Sequence, residues 1–253
     1  MTQERNSFFS SIPTITKNLI IINFIVWLAM MILPERTGIN FEQYGALHFF
    51  TSPDFNPAQI ITYMFMHSTF DFSHILFNMF GLFMFGSLLE RVLGPKRFLF
   101  YYISCGIGAA LIQEGVFAIR YIDATAQIPS DVLSRIAIEG AQAIHNGKNF
   151  IDPFLANLNS IINVPTVGAS GAIFGILLAF GMIFPNMPMY IMFIPIPVKA
   201  KWMVLGYGIL ELSFGLTGIN DSVAHFAHLG GMVFGFLLIY YWKRKGIING
   251  TYL

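Results

Sequence analysis

Residues 223–245 read VAHFAHLGGMVFGFLLIYYWKRK: twenty residues without an acidic or basic residue other than histidine, then three cations in a row. About 20 predominantly apolar residues are what an α-helix needs to cross ~30 Å of hydrocarbon at ~1.5 Å per residue. The run therefore reads as a transmembrane helix ending in a basic cluster. Working outward, five more apolar runs occupy about 18–34, 72–89, 98–119, 164–184 and 202–216, the last of them short. Backbone groups in lipid must be satisfied within the spanning segment, and none of these runs shows the ten-residue alternation of a membrane barrel. The expected fold is an all-α polytopic bundle of six transmembrane helices. One membrane domain, 18–242, fills the chain between short tails at 1–17 and 243–253.

Composition agrees. Only 11% of the 253 residues are charged, 55% are apolar and 27 are Phe. Mean hydropathy is +0.65. Soluble domains carry roughly a quarter charged residues, so a soluble enzyme, a nucleic-acid binder and a disordered chain are excluded. The net charge of +1 gives no handle on an acidic partner, and the single Cys105 excludes an internal disulfide framework. The first apolar run ends at Leu33-Pro34 without a small-residue cleavage site, so no cleavable signal peptide is expected.

The positions of the charges set the orientation. With a cytoplasmic N-terminus, Arg5, Lys17, Arg91, Lys96, Arg97, Lys199, Lys201, Lys243, Arg244 and Lys245 fall inside. Arg36, Arg120, Arg135 and Lys148 fall outside. Positive residues favour the inner face, so both termini are expected in the cytoplasm, with the second, fourth and sixth helices running from outside to inside. A bacterial plasma membrane is the expected location. Residues 35–71 read as a structured interfacial loop. Residues 120–163 read as an insertion with one short amphipathic helix, apolar at Val132, Leu133, Ile136, Ala137, Gly140 and Ile144.

Three segments carry chemistry. The fourth helix opens Val167-Gly168-Ala169-Ser170-Gly171-Ala172-Ile173-Phe174-Gly175, a serine among small residues near a helix start. By itself the stretch reads as tight helix packing, and it is not the soluble hydrolase elbow G-x-S-x-G, because residue 172 is alanine. The sixth helix holds His225 and His228, and ionisable residues inside a membrane are costly and tend to be functional. The second supplies His74 and Asn78, one turn apart on one face. Counted from the outer ends of their helices, Ser170, His228, His74 and Asn78 lie at a common level, roughly 3 to 9 Å deep. Gly231 and Gly235 follow His228 at i+3 and i+7, a face stripped of bulk that can dock on Gly171 and Gly175 and bring Ser170 to His228. Helical rotation turns His225 away from that stripe, toward the cavity mouth, as a supporting residue. Two other readings stay open on the residues alone. Glu114 and Glu211 fit a small transporter's ion path, and His67 with His74, or His225 with His228, a metal site, although no H-E-x-x-H occurs.

These three motifs, G-A-S-G-A-x-x-G at 168–175, His-x-x-x-Asn at 74–78 and A-H-x-x-G at 227–231, resemble those of the rhomboid intramembrane serine proteases, in the same order and on the same helices. The resemblance implies a protease that cuts membrane-spanning protein substrates within the lipid bilayer, without cofactor, metal or nucleic acid. Ser170 would be the nucleophile and His228 its base and acid. His74 and Asn78 would bind the oxyanion, and Phe174 would pack on the imidazole. A catalytically inactive, substrate-binding relative is the alternative. No acidic third member is expected, because Asp221, seven residues before His228, stands about 10 Å away along the helix axis. The polar loop Thr217–Ser222 is the expected gate for water.

Overall fold

The computed structural model describes residues 11–190, 196–217 and 223–248. Arg5, Asp221, the outermost parts of both tails and most of the expected gate lie outside the described residues. Helix α1 (Thr14–Thr37) leads into a loop that holds α2 (Phe41–Gly45), α3 (Gln59–Thr62) and a 3-10 turn at Tyr63–Phe65. Helices α4 (Phe72–Gly81) and α5 (Ser87–Leu93) are joined through a π-helical turn, Leu82–Gly86, into one continuous rod. The long α6 (Pro95–Thr125) follows, then α7 (Ser130–His145) and α8 (Pro153–Asn163). The chain ends through α9 (Ser170–Ile183), a two-stranded antiparallel pair β1 (Pro188–Tyr190) and β2 (Pro197–Lys199), α10 (Ala200–Thr217) and α11 (His225–Arg244).

The protein is an all-α membrane bundle. Among the described residues, Thr14–Thr37, Phe72–Leu93 and Pro95–Thr125 are long and apolar enough to cross a membrane. Helix α9 is apolar but only 14 residues long. At 1.5 Å per residue that is about 21 Å, short of the ~30 Å of a bilayer's hydrocarbon. It begins later than the apolar run because Leu47 and Thr166 exchange backbone hydrogen bonds of 2.9 and 2.8 Å. Residues 164–169 are therefore committed to extended chain and a turn.

The centre of the bundle is α6, α9 and α11, packed through small residues. A Cβ on Gly231 would collide with the Gly171 carbonyl, and one on Gly175 would stand 2.9 Å from the Gly231 carbonyl oxygen. Helix α1 is fixed by Glu90 of α5, a buried carboxylate that accepts from Ile15 N at 2.9 Å, Thr16 N at 2.7 Å and Thr16 Oγ1 at 2.8 Å. It thus satisfies N–H groups that a helix start leaves unpaired. At the other end of the bundle, Lys243 donates to the Met182 carbonyl in the last turn of α9, 2.6 Å.

The insertion differs from expectation: its first residues, to Thr125, continue α6, and the rest forms two helices, not one. Gly147, at φ +66°, turns the chain after α7. Pro153 then starts α8, with Asp152 accepting from Leu155 N at 2.9 Å. Ile136, Leu158 and Ile162 form the core of this pair. Contacts between Ser52 and Asn163 (3.0 Å) and between His145 and Asp54 (2.8 Å) tie it to the loop after α1.

Candidate active site

Ser170 is the first residue of α9, and the turn before it fixes its direction. Gly168 has φ +123°, a backbone that favours glycine, and its N–H donates to the Tyr63 carbonyl at 3.0 Å. A Cβ there would come within 2.8 Å of His74 Nε2 and 3.6 Å of Ser170 Oγ. Glycine thus lets the imidazole of α4 and the serine of α9 border one small space. As the first helical residue, Ser170 also has a backbone N–H with no carbonyl partner in its own helix. Its side chain is half-buried.

The glycine contact between α9 and α11 sets His228 against Ser170, with Nε2 2.8 Å from Oγ. The imidazole lies flat on Phe174, ring centroids 4.1 Å apart and planes within 7°. On its other side stands a residue that the sequence reading did not place here. Glu211 of α10 has Oε2 2.7 Å from His225 Nδ1 and 2.9 Å from His228 Nδ1. The His225 contact is an aligned hydrogen bond. The His228 contact is close but off the line of the ring N–H. Two expectations are corrected. An acidic group does stand beside His228, contributed by another helix, and His225 is 5% exposed and held by Glu211, which places it in the interior and not at a cavity mouth.

The geometry favours one tautomer of each ring. A bare Nδ1 lone pair 2.9 Å from the Glu211 oxygen would be repelled, which favours the His228 proton on Nδ1 and leaves Nε2 to accept from the Ser170 hydroxyl. His74 is arranged the opposite way. The Ser68 N–H donates to its Nδ1 at 3.3 Å, which puts the proton on Nε2, facing Gly168 and Ser170. Asn78 donates from Nδ2 to the His74 carbonyl at 2.8 Å and keeps a second N–H. Helix α4 is started by Asp71, whose carboxyl the Ser73 hydroxyl and backbone N–H hold below the ordinary carboxylate range. His67 lies behind His74, ring centroids 5.1 Å apart. Burial, helped by His74, pushes the His67 ring down to about 3, so it stays neutral.

Glu211, His225 and His228 form the one cluster among the described residues with ligand atoms close enough to share a metal, all within 4.8 Å. The 2.7 and 2.9 Å spacings are those of hydrogen-bonded or ion-paired groups. Tetrahedral zinc with bonds of ~2.0–2.1 Å holds its ligands about 3.3 Å apart. Glu114, the other carboxylate considered for an ion path, accepts from Phe50 N at 3.1 Å, on a separate part of the bundle.

A family model described as the Rhomboid domain matches residues 55–126 and 131–245, well over half of the chain. Rhomboid protein 1, mitochondrial, of Saccharomyces cerevisiae is 28% identical over 171 residues, 68% of this chain and 38% of the relative. RHOMBOID-like protein 12, mitochondrial, of Arabidopsis thaliana is 29% identical over 174 residues, 68% of this chain and 42% of the relative. Rhomboid-like protein 16, chloroplastic, of the same plant is 24% identical over 164 residues. The chain spans about two fifths of the length of these curated relatives.

Proposed function

Because the chain belongs to the rhomboid family, we propose that it is an intramembrane serine protease that hydrolyses peptide bonds in or beside the transmembrane helices of other membrane proteins. The observation that carries this reading is the 2.8 Å contact between Ser170 Oγ and His228 Nε2, with the imidazole stacked on Phe174. A serine hydroxyl is a weak nucleophile until a base takes its proton, and a neutral imidazole within ~3 Å is suited to that.

In the first step the Ser170 proton passes to His228 Nε2 as Oγ bonds to the carbonyl carbon. The carbonyl oxygen becomes an oxyanion. The donors available to it are the Ser170 backbone N–H, His74 Nε2–H and the second N–H of Asn78. Such preorganised donors in a poorly hydrated site stabilise the intermediate by several kcal/mol. The Nε2 proton then moves to the leaving nitrogen as the C–N bond breaks. Water, deprotonated by the same Nε2, then adds to the acyl carbon, and the Nε2 proton returns to Ser170 Oγ as the Oγ–C bond breaks and the acid leaves. Helical substrates hide their peptide bonds, so the substrate unwinds locally before attack.

In the membrane we place the domain 18–242 with six spans, both termini cytoplasmic and Ser170 opening to the outer face of a bacterial plasma membrane. The excess of basic residues in the inner segments supports this orientation. The test of function is labelling of the detergent-solubilised chain with a serine-directed fluorophosphonate. The parent labels, and Ser170→Ala does not; an unlabelled parent, or equal labelling of both, contradicts the reading.

A further inference from the structure

We propose that Glu211 is a positioning residue for His228, and that the site is a Ser-His-Glu triad assembled from α9, α11 and α10. The proposal rests on the serine protease reading above and adds a member to it. Glu211 is the only acidic residue in α10, and Lys201 its only basic one. A carboxylate in an apolar helix carries a large desolvation cost unless it is partnered. Its side chain is 14% exposed, and the imidazoles it touches are 5% and 9% exposed. One oxygen, Oε2, serves both rings: in line with His225 Nδ1, and 2.9 Å from His228 Nδ1.

This arrangement does two things for the chemistry. It keeps the His228 proton on Nδ1, so that the lone pair of Nε2 faces Ser170. It also sets a negative charge beside the ring at the moment the Ser170 proton arrives on Nε2 and the imidazole becomes a cation. Glu211 stays ionised throughout; no proton passes to it, and the Nε2 proton leaves with the amine. Hydrogen bonds of catalytic groups are frequently misaligned before substrate binds and tighten afterwards, which fits the off-line contact to His228. His225 holds the carboxylate in place from the same helix.

The other groups around His228 do not supply this charge. Helix α9 presents Ser170 and the Phe174 ring, α4 presents His74, whose Nδ1 accepts from Ser68 N, and α6 meets α11 through Gly108 and Ala109, with Arg120 over the Phe226 ring. A triad with a carboxylate on the far ring nitrogen is a recurrent solution to serine activation on unrelated folds, where an Asp-to-Asn change lowers turnover by as much as ~10⁴.

The experiment compares parent, Glu211→Gln, Glu211→Asp and Ser170→Ala as full chains in proteoliposomes. It records pH profiles of fluorophosphonate labelling, and kcat and KM on a membrane-tethered helical substrate. Glu211→Gln is expected to lower kcat about 10²-fold with little change in KM, and to move the acidic limb of the profile to lower pH. Glu211→Asp is expected to keep the limb where the parent has it, with a loss of about tenfold, and it carries the test should the Gln variant fail to fold. A Gln variant as fast as the parent, a slow one whose acidic limb has not moved, or an Asp variant whose limb shifts downward overturns the role of Glu211 and leaves the protease reading standing. A parent that neither labels nor cleaves overturns that reading and the proposal together.

Discussion

The backbone of Gly231 lies against the carbonyl of Gly171 so closely that no Cβ fits between them. Since Ser170 and His228 flank this contact, the helix spacing it sets is also the spacing of the nucleophile and base. Gly231→Ala is expected to push α11 off α9, to cost about 1–3 kcal/mol of stability as overpacking does, and to lower fluorophosphonate labelling by at least ~10². The control is Gly206→Ala in α10, where a Cβ meets nothing within 4 Å. That change is expected to be neutral or stabilising by about 0.5–1 kcal/mol. Thermal unfolding in detergent, with labelling rates alongside, checks both. Equal tolerance at the two positions would show that the glycine contact does not set the site.

Asn78→Ala is expected to slow turnover by ~10² to 10³ without abolishing it, because the Ser170 N–H and His74 Nε2–H remain as oxyanion donors. Steady-state cleavage of a tethered substrate measures this. An unchanged rate removes Asn78 from the site.

The two histidines of α11 divide differently. His228→Ala is expected to lose essentially all hydrolysis, since Nε2 is the partner of Ser170. His225→Ala is expected to keep a substantial fraction, because it removes a support of Glu211 and leaves the carboxylate beside His228. Complete inactivation by both, in protein that still extracts as a folded species, contradicts this division. An active His228→Ala enzyme contradicts the assignment of the base.

Much of this arrangement was legible in the sequence, and the exceptions have physical causes. The apolar runs locate the helices, and the i+3 and i+7 glycines after His228 point to its partner helix, because period and bulk are local properties. Glu211 was visible as a carboxylate in an apolar run, yet its role depends on which way α10 turns, and the nearly uniform apolarity of that helix gives no face to read. Counted from Leu216, Glu211 is five residues, about 7.5 Å, down its helix, the same count as His228 from Val223. The apolar run starts six residues before α9 does, because the backbone pairing of Thr166 with Leu47 is a long-range contact that no periodicity announces. Apolar positions alone did not divide the insertion into two helices. The division is marked by Gly147 and the Asp152-Pro153 cap.

Glu90 gives a prediction about the fold alone. It accepts three hydrogen bonds at the start of α1 from a buried position. Glu90→Ala leaves those donors unsatisfied and is expected to cost about 2–4 kcal/mol. In the fraction that folds, labelling of Ser170 should be unaffected, since α1 carries no site residue. A thermal midpoint equal to the parent's would show that α1 is held by its apolar contacts alone.

The most direct measurement of the central claim is cleavage of a membrane-tethered helical substrate in proteoliposomes by the parent and by Ser170→Ala, each with and without a metal chelator. The account predicts cleavage by the parent, unchanged by chelator, and none by Ser170→Ala. Activity that survives in Ser170→Ala, or that is lost with chelator and restored by zinc, would contradict it.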